Sequence, residues 1–475
     1  MRLFLLVTSI LFLSYGNTQN LLPPEKLHED FDYLIAELKV QHQGLYEYID
    51  PKQTGLLIDS IRNTLRAPQT QLEFYEKVSL VIGLTNEGHT SVHLPKRTLR
   101  KVGLSKSFLP LTVRFHEGNL IITQNYGENS AELKQGAKII SVSTKKVNEI
   151  LDKIYPLITT DGFNESSRQE WVGGLNFSLL YRLIYGKEDE FELQIQEFGS
   201  DTIQTIFLPA IRLTRFKTKN ARFTANSFDY NKFKFEQIND SVAYLCIPSF
   251  GYDDLDYEEF YQSNFKKIDS LQIKHLLIDL QANGGGTEGN ENLLFGYLSD
   301  KVVQKYKQVT MLPQPYQKNK NKEGYIEDKW IFEDTIAKRG DYTLYSDYYS
   351  DLGYKTPQQE LVYKGKLYVL TSGKTFSGGA EFASLIKMTD RGLFIGEETG
   401  GTYEGNVSGY SEYIQLPHSK IEVKIPTVHF QMNVSPEIKG RGIIPDYNVP
   451  QSWKDYMTGQ NSKKEFVIQL ITNKN

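Results

Sequence analysis

A serine, a histidine and a run of glycines stand in this sequence where nucleophilic chemistry could be assembled. Ser377 lies in Thr375-Phe376-Ser377-Gly378-Gly379-Ala380-Glu381. The apolar run Leu367-Tyr368-Val369-Leu370 precedes it, and Phe382, Leu385 and Ile386 follow at helical spacing. This pattern predicts a strand, a turn bearing the serine, and a helix. At a helix start the first backbone N–H groups lack partners, so an oxyanion forming beside the serine Oγ would find donors and a favourable dipole. The same position also suits a plain N-cap serine.

Leu276-Leu277-Ile278-Asp279-Leu280-Gln281-Ala282-Asn283-Gly284-Gly285-Gly286 reads as a buried strand ending in three glycines. Glycines there let backbone N–H groups approach a ligand. No Gly-Lys-Ser/Thr follows, which argues against a phosphate-cradling loop. In Asn86-Glu87-Gly88-His89-Thr90-Ser91-Val92 a histidine follows a helical stretch rich in Val78, Leu80, Val81, Ile82 and Leu84. Its imidazole suits acceptance of a serine proton near neutral pH, although a loop histidine can equally be structural.

Together these segments resemble the serine peptidase family of carboxy-terminal processing (tail-specific) proteases and the tricorn core protease. The resemblance is carried, in order, by Gly88-His89-Thr90, by Asp279 to Gly286, by Thr375-Phe376-Ser377-Gly378 and by Gly396-Glu397-Glu398-Thr399-Gly400-Gly401. Gly440-Arg441-Gly442-Ile443-Ile444-Pro445-Asp446 is similar to the family's closing segment. In the processing-protease branch a lysine serves as base, but the matching stretch Thr399-Gly400-Gly401-Thr402 has none. The tricorn-like branch uses a histidine far upstream of the serine, and His89 falls at that motif.

The resemblance implies a serine peptidase acting on extended or unfolded polypeptides, with Ser377 as nucleophile and His89 as general base. Gly378, with Gly285 or Gly286, would supply the oxyanion hole. An acid near the closing motif would orient the histidine, with Glu437 the candidate and Asp446 its rival. Ala380 stands where many relatives carry glutamate, and Glu381 next to it is available for that role. Lys374 and Lys387 keep a serine–lysine dyad open. Gly378 brings no charge beside the nucleophile, so a preference for basic side chains is not inherited. The alternative from another class is a non-catalytic ligand- or peptide-binding protein on the same scaffold.

The chain of 475 residues is 24% charged with a formal net charge of -4 and no long charged block, so it offers no basic footprint for nucleic acid. Residues 1–18, with Met1-Arg2 followed by the apolar Leu3 to Leu13, read as a secretory signal peptide, which implies a periplasmic or extracellular mature protein. The apolar run is too short to span a bilayer comfortably, so no stable membrane insertion is expected after cleavage. Cys246, the single cysteine, lies in a predicted core strand; this excludes an intramolecular disulfide and cysteine-cluster metal sites. No cofactor and no metal is expected; the expected partner is a polypeptide substrate.

The elements that must position these groups divide the chain into three parts. Helical periodicity, as in Phe31, Leu34, Ile35 and Leu38, marks an N-terminal helical domain over 20–105 that carries His89. Short alternating strands such as Leu111 to Phe115 and Asn119 to Thr123, then Gly136 to Val142, mark a β-rich domain over 106–212 that resembles a PDZ-like module. From 235 to 460 strands alternate with helices, which predicts an α/β peptidase core with an insertion at about 301–359. The fold class is therefore α/β in a multidomain α+β chain. The resemblance implies a C-terminal α/β sandwich of the tail-specific protease (ClpP/crotonase-like) type.

Overall fold

The computed structural model describes residues 21–116, 118–127, 133–217, 232–311, 335–339, 342–345, 354–355 and 361–473. The expected signal segment, 1–18, and most of the expected insertion lie outside the described residues.

Three helices open the described residues: α1 (Pro24–Gln41), α2 (Pro51–Arg62) and α3 (Gln71–Gly83). A Thr70–Glu73 capping box starts α3, with the Thr70 hydroxyl accepting from the Glu73 amide and the Glu73 carboxylate from the Thr70 amide. The short strand β1 (Ser91–His93) and α4 (Lys96–Leu104) follow. Leu27, Phe31, Leu34 and Leu38 of α1 share one apolar core with Phe74, Val78, Val81 and Ile82 of α3. The same core includes Ile414, Leu416, Ile421, Val423 and Ile425, which come from far downstream. The segment expected as a helical domain of its own therefore completes its core with a distant hairpin, because two amphipathic helices bury too little apolar surface alone.

The middle unit is an antiparallel sheet of β2 (Leu111–His116), β3 (Asn119–Asn125), β4 (Lys138–Val142), β5 (Lys145–Lys146), β6 (Glu190–Gln196) and β7 (Ile203–Pro209). Its main order is β2-β3-β4-β6-β7, with β5 paired to β4. Between β5 and β6 run α5 (Val147–Ile154), α6 (Glu165–Val172) and α7 (Asn176–Tyr185). Ile150, Ile154, Phe177 and Tyr181 cover one sheet face in an apolar core separate from the others.

The C-terminal part is built on a six-stranded sheet containing β8 (Lys234–Asn239), β9 (Val242–Cys246) and β10 (His275–Asp279). Helices α8 (Tyr257–Ser270) and α9 (Asn290–Gly296) flank β10 in sequence. The strands β11 (Val303–Gln304), β12 (Tyr306–Met311), β13 (Thr335–Arg339), β14 (Tyr342–Tyr345) and β15 (Tyr354–Lys355) come next. Then follow β16 (Lys366–Thr371), α10 (Gly378–Met388), β17 (Leu393–Gly396), the long hairpin β18 (Gly405–Gln415) and β19 (Glu422–Met432), and β20 (Tyr447–Asn448). Helices α11 (Trp453–Thr458) and α12 (Ser462–Thr472) end the described chain.

The central order is β20-β17-β16-β10-β9-β8, parallel except for β8 at the edge. Its inner strands are buried on both faces, which explains their unbroken apolar runs. One face packs on α8, α9 and α10 with residues of β12 and β19, and the other on Val467 and Ile471 of α12. A second sheet of order β1-β19-β12-β14-β13, with β18 also paired to β19, closes over these helices. The pairing of β1 with β19 (Ser91 opposite Lys424) carries the segment after His89 onto the C-terminal part.

Candidate active site

Strands β10 and β16 run side by side and parallel, so the glycine run after β10 and the turn after β16 emerge at the same sheet end. Open α/β sheets usually bind ligands at this carboxyl end. Ser377 has φ 52° and ψ -127°, a conformation glycine adopts freely and serine does not. Holding it there costs on the order of 1–3 kcal/mol. Although it occupies the N-cap position of α10, its side chain makes no capping hydrogen bond. The plain-cap reading therefore fails on geometry, because a cap accepts from the next amides with an extended backbone.

Gly285 makes this arrangement possible. A Cβ placed on it would lie 2.7 Å from Ser377 Cβ and 2.8 Å from the Gly378 nitrogen, and its φ is +98°. Its own N–H donates to Asn283 Oδ1 at 2.9 Å, so it is not the free donor that the glycine run suggested. Gly286 and Gly378 are placed otherwise: among the described residues neither N–H has a hydrogen-bond partner. A Cβ built on Gly378 would stand 3.7 Å from the Gly286 nitrogen, so the two amides are neighbours.

The histidine arrives from the other end of the chain. His89 stacks on Phe376, the residue before Ser377, with ring centroids 4.7 Å apart and planes at 29°. Gly88 permits this contact, since a Cβ there would come within 2.6 Å of the Phe376 ring. His89 Nδ1 lies 2.7 Å from Glu87 Oε1, which also accepts the His89 backbone N–H at 2.8 Å. Glu87 Oε2 accepts from the amide and the hydroxyl of Thr90, at 2.9 and 2.8 Å. Burial opposes charge on Glu87, but the His89 ring and backbone N–H hold its carboxyl below the ordinary value. Burial likewise disfavours the imidazolium, yet the Glu87 carboxylate outweighs it and His89 is raised above the usual 6.5. An ionised Glu87 can only accept, so neutral His89 carries its proton on Nδ1 and keeps the Nε2 lone pair free.

The acid at the histidine is thus Glu87, not Glu437. Glu437 is solvent-exposed and makes no contact with His89, whereas Glu87 sits two residues away in a turn that folds its side chain back. The local Glu-Gly-His-Thr string held the signal for this residue. Asp446 accepts the Phe394 amide at 2.7 Å and is spent on β17. Lys374 pairs with Glu170 at 3.4 Å with nearly half its side chain in water, and Lys387 is exposed, so neither offers a desolvated amine.

Ala380 is small because Gly401 packs on it; a Cβ on Gly401 would fall 2.6 Å from the Ala380 methyl. Glu381 is buried away from the serine, accepting from Tyr306 at 2.6 Å and Asn406 at 2.9 Å beside the Lys305 ammonium at 2.6 Å. It anchors the first turn of α10 to β12 and β18.

Asp161, unmarked in the sequence reading, reaches the site from the loop before α6. Its Oδ1 accepts the Gly88 N–H at 2.7 Å, while Oδ2 is buried with no hydrogen-bond partner. Burial, then the neighbouring Glu87 charge, pushes its carboxyl up to about 8. Glu87, His89 and Asp161 bring one ligand atom each within 4.8 Å of one another. Glu87 already takes four hydrogen bonds there, so this cluster is accounted for by proton chemistry.

The sequence model of Peptidase family S41 matches residues 241–449, which hold the glycine run, Ser377 and the closing segment. Residues 241–449 therefore form a peptidase family S41 domain. That match marks the chain as a serine peptidase. No curated protein sequence matches the chain. Solved structures share the fold: mature CPAF superposes with a TM-score of 0.62 at 16% identity, covering 95% of this chain and 98% of that one. Mature CPAF complexed with lactacystin gives 0.63 at 16% identity, with 94% and 97% covered. A serine-to-alanine CPAF mutant gives 0.65 at 16% identity, with 94% and 96% covered. His89 and Glu87 lie outside the matched segment, so the family match alone does not assign the base of this S41 peptidase.

Proposed function

We propose that this S41 peptidase is an exported endopeptidase that hydrolyses extended or unfolded polypeptides through an acyl-enzyme on Ser377. His89 Nε2 takes the hydroxyl proton as Oγ bonds to the peptide carbonyl carbon. The oxyanion accepts from the Gly286 and Gly378 amides. The C–N bond then breaks as the imidazolium gives its proton to the leaving amine. Water, deprotonated by His89, cleaves the ester and restores Ser377. The single observation that carries this reading is a serine at positive φ, free of any capping bond, one residue from a ring on which a Glu87-bound histidine is stacked.

Export rests on the signal-like residues 1–18, and none of the described helices is long and apolar enough to cross a membrane. A cavity of about 440 Å³ opens beside Gly88 and Ser91, walled by Leu99, Phe108, Trp171 and Leu180, and suits an apolar substrate side chain. Hydrolysis of casein by the mature chain, with Ser377→Ala and His89→Ala alongside, tests the reading. Cleavage lost in both variants supports it, and loss in Ser377→Ala alone rejects His89 as base. A folded wild type that cleaves nothing in a broad peptide library favours the binding protein. Because a fold neighbour is known complexed with lactacystin, that compound is a suitable first inhibitor.

A further inference from the structure

We propose that His42 and Thr90 are positioning residues: a hydrogen-bond chain from the Gly44 amide through His42, Thr90 and Glu87 holds His89 in the tautomer that accepts a proton. This rests on the reading of His89 as general base.

The direction of the chain follows from which groups can donate. The Gly44 N–H has only a proton to give, and it donates to His42 Nδ1 at 3.2 Å. Nδ1 is therefore an acceptor, and neutral His42 carries its proton on Nε2. Nε2 lies 3.0 Å from Thr90 Oγ1 and donates to it. The single Thr90 hydroxyl proton is thereby directed to Glu87 Oε2, 2.8 Å away. Glu87 Oε1 in turn takes the His89 Nδ1 proton. Reversing any link leaves two donors or two acceptors face to face in the interior, where an unmade hydrogen bond is costly.

All of this lies out of water: His42 is 4% exposed, Glu87 2% and Thr90 0%. Burial depresses His42 to about 4, against the pull of Glu87, so the ring stays neutral at working pH even though Glu87 Oε2 is 3.9 Å away. Glu87 and His429 face His42; Glu87, Asp161 and Lys424 face His89. Gly44 is held against Val407, where a Cβ would meet Cγ2 at 2.5 Å, so β18 fixes the head of the chain. The His42 end thus ties the base to the segment after α1, which no local motif around His89 announces.

The test compares Thr90→Val, which deletes the hydroxyl at nearly constant volume, with Thr90→Ser, which keeps it. Thr90→Val is expected to lower kcat about 10- to 100-fold, the effect of one hydrogen bond to a charged group, with KM nearly unchanged. The acid limb of its kcat/KM profile should move to lower pH as Glu87 loosens, and Thr90→Ser should restore both. Equal activity and profile in Thr90→Val and wild type, or equal impairment in Thr90→Ser and Thr90→Val, overturns the proposal. Nitrogen-15 NMR of the Ser377→Ala chain reads the tautomers without turnover. His42 protonated on Nε2 and His89 on Nδ1 support the chain, and His42 protonated on Nδ1 overturns it even if Thr90→Val fails to fold. That tautomer pattern alongside a folded wild type that cleaves nothing would instead reject the peptidase reading alone.

Discussion

The two halves of the candidate site are held by different physics. Around Ser377 the backbone does the work: parallel strands set the sheet end, Gly285 allows a close approach, and the Gly286 and Gly378 amides are neighbours. Around His89 side chains do it, with Glu87, Thr90, His42 and Asp161 drawn from separate segments into a buried network. A backbone-built half tolerates little change in shape but much in charge, and a side-chain-built half the reverse. The contrast predicts different failures when each is mutated.

The largest effect is expected at the nucleophile. Ser377→Ala should lower kcat on the order of 10⁶-fold, measured with a fluorogenic peptide. Ser377→Gly should be as inactive but more stable, by about 1–3 kcal/mol in urea unfolding, because glycine relieves the positive φ. If it is not stabilised, the serine is not strained and the backbone account is wrong.

Next comes the acid. Glu87→Gln should cost about 10³- to 10⁴-fold in kcat, as loss of an orienting carboxylate does elsewhere, while Glu437→Gln should stay near wild type. In the wild type the acid limb of kcat/KM should lie above pH 6.5, because Glu87 holds His89 protonated. The same raised value adds stability that is full below pH 6.5 and lost as pH climbs through the folded pKa. Glu87→Gln should move the limb down, and a profile that stays put would reject Glu87 as the partner.

Gly285→Ala should lower kcat by about 10²-fold or more, since its Cβ would push on Ser377 and on the Gly378 donor. A crystal structure of that variant with an unmoved Ser377 and full activity would break the backbone account.

The smallest effect on turnover belongs to Glu170, which pairs with Arg114 in the middle unit and joins that unit to the turn before Ser377 through Lys374. Burial opposes its charge, but Arg114, Lys374 and Lys463 hold it at about 2. It therefore contributes stability above pH 4.5 that is lost as pH falls toward 2, on the order of 3 kcal/mol at most. Glu170→Gln should flatten that acid loss in urea unfolding while leaving peptide hydrolysis near wild type. Unchanged acid sensitivity would remove Glu170 from the join.

The ease of reading followed the same division. Strand, turn and helix around Ser377 were legible because their apolar periodicity and glycines are contiguous, and α10 begins at Gly378 directly after the serine. The start of α8 at Tyr257, where the Asp256 side chain caps it, is encoded just as locally. The orienting acid was misplaced to Glu437 because a resemblance indicates an approximate distance along the chain, whereas proximity in the fold favours Glu87. The isolated Asp161 and His42 carried no signal, since a single buried polar residue has no periodicity and its partners lie 73 and 48 residues away.

By itself the sequence determined the order of the parts: a serine after a buried strand, glycines after its neighbour, and a histidine behind a helix. Local hydrogen bonding and side-chain period are encoded in adjacent residues, so those features needed no third dimension. Only the tertiary structure decided which carboxylate serves the histidine, which glycine amide is free, and that Asp161 and His42 belong to the site. Those choices depend on desolvation and on donors meeting acceptors across distant segments, and a buried polar group takes its character from the neighbours that satisfy it.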